Sequence, residues 1–298
     1  MVNNVLVVGG TGMLGYPIVQ RLRADGYAVK VMTHNLERAQ KIFGTDANLV
    51  AGDVTDPESL TEPMRDCDAV YINLSAKMDI SKYDTIERQG TVYLARIAAE
   101  QRLKRIAMIS GLGVGVDNSS HPYIAAKVDA ERALKECGVP FTIFRCCWFM
   151  ESLPLYVQGK KAFLVGKQPH PVSWIAATDY SAMVSNALRS DEAANKIFHV
   201  RGVDKMTIRK ALEVFCEEVY PDVAISSLPI WMLSLLAKFS RRREMKGFLD
   251  FMKYFEKTPE PDVSDDSDRI LGPALTGIRD WATDFKNKKV DEPETVAK

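Results

Sequence analysis

The sequence is short of several things that would decide its class at once. It has four histidines and five cysteines (Cys67, Cys137, Cys146, Cys147 and Cys216), with none of the paired spacings that hold a metal. No metal site is expected, and an odd set of thiols reads as reduced cysteine rather than a disulfide framework. Net charge is also absent: 39 basic residues balance 39 acidic ones, which removes the broad electrostatic case for a nucleic-acid partner. No apolar run reaches the roughly 18 residues of a transmembrane helix. Neither an internal repeat nor a low-complexity segment interrupts the chain. It enters an apolar strand without a charged leader, so a cytoplasmic location is expected.

What is present begins in the first fifteen residues. Val5, Leu6, Val7 and Val8 form an apolar run without polar alternation, as a strand buried on both faces requires. The run leads into Gly9, Gly10, Thr11, Gly12, Met13, Leu14 and Gly15. Here Gly9 allows a tight turn, Gly12 lets a pyrophosphate approach the backbone, and Gly15 permits close helix packing. Phosphate would rest on the free N–H groups of the helix start. Leu14, Ile18, Val19 and Leu22 recur at helical spacing, Gly26 ends that helix, and residues 29–32 supply the next strand. This is the dinucleotide-binding unit in about thirty residues. Strand-like runs at 49–51, 69–74, 105–110 and 141–145 alternate with helical patterns, including one over 83–101. The fold class expected is therefore α/β, with a doubly wound parallel sheet.

Cofactor preference is written just after the second strand, where a carboxylate would bind the ribose of NAD. Asn35 stands there instead, within Thr33, His34, Asn35, Leu36, Glu37 and Arg38. Small donors and Arg38 suit a 2′-phosphate, so NADP is expected, with NAD as the other choice. The competing reading makes Arg38 and Lys41 a solvated helix face. Asp53 and Asn73 follow the third and fourth strands, at the sheet edge where ligands lie. Asp53 suits a turn or helix cap before Pro57 equally well.

The chemistry is expected between Ser110, which ends the fifth strand, and Lys127. Tyr123 and Lys127 are four residues apart and share one face of a helix. Hydride addition to a carbonyl leaves an alkoxide that must take a proton, and a phenol can give it. A neighbouring ammonium, together with an oxidised nicotinamide, would favour phenolate and draw the titration of the phenol from about 10 towards neutral pH in the reverse reaction. On the structural reading, Tyr123 is a helix-start aromatic behind Pro122, and Lys127 pairs with Glu131 one turn on.

The spacing of Gly9, Gly12 and Gly15, with Ser110, Tyr123 and Lys127, resembles the NmrA-like atypical short-chain dehydrogenases over most of the chain, to about residue 285. That group includes NAD(P)-dependent reductases and redox-sensing binders that have lost catalysis. The resemblance implies Ser110, Tyr123 and Lys127 as the catalytic set, with Lys127 also on the nicotinamide ribose. Around the cofactor it implies Gly9, Thr11, Gly12, Met13, Leu14, Gly15, Thr33, His34, Asn35, Arg38, Asp53 and Asn73. It divides the chain into a Rossmann domain over 1–150 and a smaller C-terminal α/β substrate lobe over 151–285, some of whose strands return to the main sheet. Residues 286–298 are polar and expected to be a disordered tail. The stretch from Arg145 to Glu151 is similar to the family's crossing into the substrate lobe, although Cys146 and Ser152 depart from its proline and asparagine. There Trp148, Phe149 and Met150 either line a flat apolar substrate pocket or fill the core between lobes.

Residues 228–239 are the most apolar segment, followed by Arg241, Arg242 and Arg243. Twelve residues are too few to span a bilayer. A core helix, a pocket lid and a helix resting on anionic lipid around residues 228–243 all stay open. The expected function is NAD(P)H-dependent reduction of an apolar or aromatic carbonyl, quinone or related small-molecule acceptor, with Tyr123 as the acid. The alternative is a non-enzymatic NAD(P)-binding redox sensor or assembly factor acting through a protein or membrane partner. Epimerase or dehydratase chemistry is a third reading.

Overall fold

The computed structural model describes residues 1–115, 119, 121–239, 243–263 and 265–291. The first half alternates strand and helix as far as β6. It runs β1 (Asn4–Val8), α1 (Gly15–Ala24), β2 (Ala28–Thr33), α2 (Leu36–Phe43), β3 (Leu49–Ala51), α3 (Thr61–Met64) and β4 (Ala69–Ile72). A short α4 (Ile80–Lys82), a π-helical stretch (Tyr83–Gln89), α5 (Gly90–Glu100), β5 (Arg105–Gly111), α6 (Pro122–Glu136) and β6 (Phe141–Cys146) follow. The helix expected over 83–101 is thus two pieces, widened to π geometry over its first seven residues.

Seven strands form one sheet in the order β11-β6-β5-β4-β1-β2-β3, every pair parallel. The order reverses between β1 and β4, which opens a crevice at their C-terminal ends. Side chains alternate across the sheet. Val5 and Val7 pack with Ile18, Val19 and Leu22 of α1 on one face, while Leu6 and Val8 meet Leu60, Leu94 and Ala95 on the other. The unalternating apolar run of β1 follows from this two-sided burial.

The second half contains β7 (Trp148–Phe149), β8 (Val157–Gln158), β9 (Lys161–Val165), β10 (Val172–Ile175), α7 (Ala177–Arg189) and β11 (Lys196–Val200). It continues through β12 (Asp204–Met206), α8 (Ile208–Val219), β13 (Ala224–Leu228), α9 (Ile230–Phe239), α10 (Arg243–Lys257), α11 (Ser267–Leu271) and α12 (Ile278–Asp291). Two three-stranded sheets, β12-β10-β7 and β13-β9-β8, surround their own core with Trp174, Phe215, Met252 and Trp281. The chain also goes back to the first body. β11 extends the main sheet beside β6, and α7 packs on α1, where Ser185 Oγ donates to Asp25 at 2.6 Å.

Helix α12 runs to Asp291, six residues into the expected disordered tail, and residues 292–298 lie outside the described ones. Among the described residues no helix is long and apolar enough to cross a membrane. In the segment considered for lipid contact, Ala237 of α9 is buried while Trp231 and Leu235 stand exposed; Arg241 and Arg242 lie outside the described residues.

Candidate functional site

The glycine turn after β1 is closed so tightly that side chains are excluded from two of its positions. Gly9 has φ +83°, and a Cβ there would overlap the carbonyl oxygen of Asn73 at the end of β4. A Cβ on Gly15 would overlap the Gly9 carbonyl, so α1 begins directly against the turn. A Cβ on Gly12 would meet only Gly9 O, at 3.3 Å, which leaves that backbone open on its outer side. This cradle, at the N-terminus of a ten-residue helix, fits a pyrophosphate. Thr11, Met13 and Leu14 complete it, and the last two also form the near wall of the cavity described below.

At the far end of the cradle, Asn35 caps α2: its Oδ1 accepts from Arg38 N at 2.9 Å, while Asn35 N donates to Thr33 Oγ1 at 3.0 Å. These two side chains shape the turn. His34 and Arg38 are exposed, Lys41 pairs with Glu37 at 2.7 Å, and Arg38 makes no ion pair among the described residues. Asp53 Oδ1 accepts from Thr55 N at 2.8 Å and Thr55 Oγ1 at 2.7 Å. Those hydrogen bonds, with the smaller influence of His34, hold its carboxyl below the usual range.

A cavity of about 400 Å³ lies over the C-terminal ends of the central strands, bordered by Asn73, Ser110, Tyr123 and Lys127. Trp148 and Phe149 form a wall, and Phe251 and Phe255 of α10 lie over it. The ring of Trp148 is 5.8 Å from that of Phe251 and 5.4 Å from that of Phe255. Gly247 brings α10 down onto the first body, since a Cβ there would overlap the carbonyl of Met78. Met150, open to either a place in the pocket wall or core filling between lobes, takes the second: it is fully buried in the second core and does not line the cavity. The chain turns into a 3-10 helix at that residue (Met150–Tyr156), and this carries the side chain inward.

Tyr123 and Lys127 lie together as their spacing requires, with Lys127 Nζ 5.9 Å from the centre of the Tyr123 ring. That ring stands edge-on to Tyr83 at 5.8 Å and to Phe251 at 5.6 Å. Lys127 does not reach Glu131. Its Nζ is 3.0 Å from Glu87 Oε2, and both side chains are buried. Glu87 projects from the π-helical stretch and its other oxygen accepts from Ala76 N at 2.8 Å. Ser110 Oγ donates to Glu131 Oε1 at 2.8 Å, so its one proton is directed away from the cavity centre. Glu131 also receives Arg145.

Burial pushes the Tyr123 phenol above its ordinary value, and Glu87, Cys146 and Glu131 push the same way. The drop expected from Lys127 is therefore reversed here: burial is the larger cause, and Glu87, sitting against Lys127, adds to it. Sequence reasoning passed over Glu87, Phe251 and Phe255. Their signals were an acid inside an apolar helical pattern, and two phenylalanines four residues apart on an amphipathic helix.

A doubly wound sheet with a glycine cradle at its switch point, and a tyrosine–lysine pair on the same edge, defines a dinucleotide-binding protein. The chain belongs to the NAD(P)H-binding family, whose profile matches residues 9–190. This agrees with the expected kinship to the atypical, NmrA-like short-chain dehydrogenases. The chain is similar to the photosystem II assembly factor Ycf39 of Trieres chinensis, 24% identical over 241 residues, or 79% of this chain and 75% of that one. It is 26% identical over 202 residues to the NAD(P)H azoreductase of Xenophilus azovorans, covering 66% of this chain and 68% of that one. The crystal structure of the NADPH-dependent quinone oxidoreductase of Escherichia coli, complexed with NADPH, shares the fold at TM-score 0.76 and 16% identity, over 94% of this chain and 99% of that one.

Proposed function

We propose that this protein is an NADPH-dependent reductase of a flat apolar or aromatic acceptor such as a quinone, aromatic carbonyl or azo compound. The observation that carries the reading is the meeting of Tyr123 and Lys127 in one aromatic-walled cavity beside the glycine cradle. The dinucleotide, when bound, supplies hydride; the cradle at Gly9, Gly12 and Gly15 would hold its pyrophosphate, and Arg38 its 2′-phosphate. Trp148, Phe251 and Phe255 stack the acceptor and exclude water. As the acceptor atom gains its electron pair, Tyr123 Oη gives it a proton, and solvent restores the phenol. Lys127, held 3.0 Å from Glu87 Oε2, would donate to the nicotinamide ribose. The azoreductase relative and the quinone oxidoreductase neighbour support this acceptor class.

Oxidation of NADPH and NADH by the purified protein, against quinones, azo dyes and aromatic ketones, tests the reading, with Tyr123→Phe as control. Tyrosine-dependent turnover is expected; tight cofactor binding with no turnover across the panel would count against it. A second reading, a dinucleotide-binding assembly factor, is supported by the Ycf39 relative and by Trp231 and Leu235, exposed at 72% and 52% on α9. Cofactor-dependent capture of a protein partner, lost in Trp231→Ala, would favour it.

A further inference from the structure

Glu87 is 3% exposed and carries its charge among apolar groups, a placement that is costly unless the charge is matched. Its match is Lys127, and the bond to Ala76 N fixes the carboxylate so that Oε2 faces the Lys127 ammonium. The π-helical widening of Tyr83–Gln89 occurs where this side chain meets α6, and such widenings collect at functional sites. We infer that Glu87 is a positioning residue: it clamps Lys127 beside Tyr123 and, by cancelling the ammonium charge, keeps the proton on the tyrosine hydroxyl.

A lone lysine beside the tyrosine would favour phenolate, the form needed to take a proton from an alcohol. A lysine already matched by a carboxylate leaves the phenol protonated, the form needed to give a proton to a reduced acceptor. The pair therefore biases the site towards reduction. This consequence rests on the reductase reading, whereas the charge coupling itself does not. The other ionisable groups around the tyrosine are Tyr83 from the π-helical stretch, Cys146 from β6, Glu131 from α6 and Tyr254 from α10, with His121 ahead of α6 and Asp250 of α10 on the far side of Tyr83. Among the described carboxylates, Glu87 is the one paired with Lys127, at 3.0 Å.

The test is an ultraviolet titration of tyrosinate in the cofactor-free protein, read as the difference between each variant and the same variant carrying Tyr123→Phe. Glu87→Gln keeps an acceptor for Ala76 N while removing the charge. It is expected to lower the Tyr123 titration midpoint by about one pH unit or more, on the scale set by a single nearby charge. Lys127→Gln should move the midpoint the opposite way. The double variant should return close to the wild-type protein, and Glu87→Asp should stay there. Superimposable curves for wild type and Glu87→Gln, or a double variant that fails to return, would overturn the inference. Should Glu87→Gln not fold, Lys127→Gln and Glu87→Asp still decide the matter: an unmoved midpoint in Lys127→Gln rejects the coupling. The titration needs neither substrate nor turnover, so failure of the reductase reading shows only in the activity panel.

Discussion

Arg145 grips Glu131 through two nitrogens, Nε at 3.0 Å and Nη2 at 2.7 Å, tying the end of β6 to α6 beneath the cavity. The Glu131 side chain is 2% exposed, so removing the guanidinium leaves a buried carboxylate with only Ser110 and the more distant Lys135 at 3.5 Å. Arg145→Ala is therefore expected to cost about 3 kcal/mol, near the lower end for breaking a buried pair. Arg145→Lys recovers part of this, because a single ammonium cannot reproduce the two-pronged contact. Urea unfolding measures both; an unchanged midpoint in Arg145→Ala would show that the pair does not hold the two elements together.

The same carboxylate decides what Ser110 does. Its hydroxyl has one proton, and Glu131 Oε1 takes it at 2.8 Å. Ser110→Ala is expected to reduce kcat less than about tenfold, while Tyr123→Phe reduces it by about 10²–10⁴, the range for a positioned acid. Steady-state kinetics with one acceptor compare the two. A Ser110→Ala loss as deep as that of Tyr123→Phe would mean that Ser110 releases Glu131 and bonds to the reacting atom.

The reach of the sequence follows the range of the interactions involved. The glycine cradle and the tyrosine–lysine pair are local patterns, set by backbone sterics over a few residues and by the pitch of a helix, and both are where spacing puts them. Glu87 meets Lys127 across forty residues, and nothing periodic in the chain announces that contact. Phe251 and Phe255 reach the cavity because Gly247 lets α10 sit on the Met78 carbonyl, a tertiary contact with no local signal. Met150 shows the converse. Next to two residues that do line the cavity, it is turned into the core by a 3-10 helix that apolar composition alone does not reveal.

Asp68 gives the fold an acid-sensitive fastening. It accepts from Asn3 N at 2.8 Å, from Asn4 N at 2.9 Å, and pairs with Lys104 at 2.7 Å, joining the start of β1 to the approaches of β4 and β5. Burial alone would raise its carboxyl, but Lys104 and the two amides outweigh that and bring it from 3.8 down to about 2. The folded value lies below the unfolded one, so this contribution is complete above pH ~4 and fades as pH falls from ~4 to ~2. Because Lys104 is more than half exposed and solvent screens the pair, Asp68→Asn should remove about 1 kcal/mol at neutral pH and flatten the pH dependence of stability in that window. Urea midpoints between pH 2 and 7 check it; equal slopes in both proteins would remove Asp68 as the cause.

Arg38 bears on which nicotinamide dinucleotide the protein prefers. Its backbone N–H is held by the Asn35 cap at 2.9 Å, so the base of the side chain is fixed at the first turn of α2 while the guanidinium stays exposed. Lys41 is engaged with Glu37, leaving Arg38 the better placed of the two cations for a 2′-phosphate. A charge-assisted bond of this kind is worth about 1.5–3 kcal/mol, which corresponds to roughly tenfold to a hundredfold in affinity. Arg38→Gln is thus expected to weaken NADPH by about that factor and to leave NADH within about twofold, because NADH has no phosphate for it to lose. Fluorescence titration of the two reduced cofactors reads the difference. Equal weakening of both would place Arg38 on a group common to the two dinucleotides, and no change in either would return it to the solvated face of the helix.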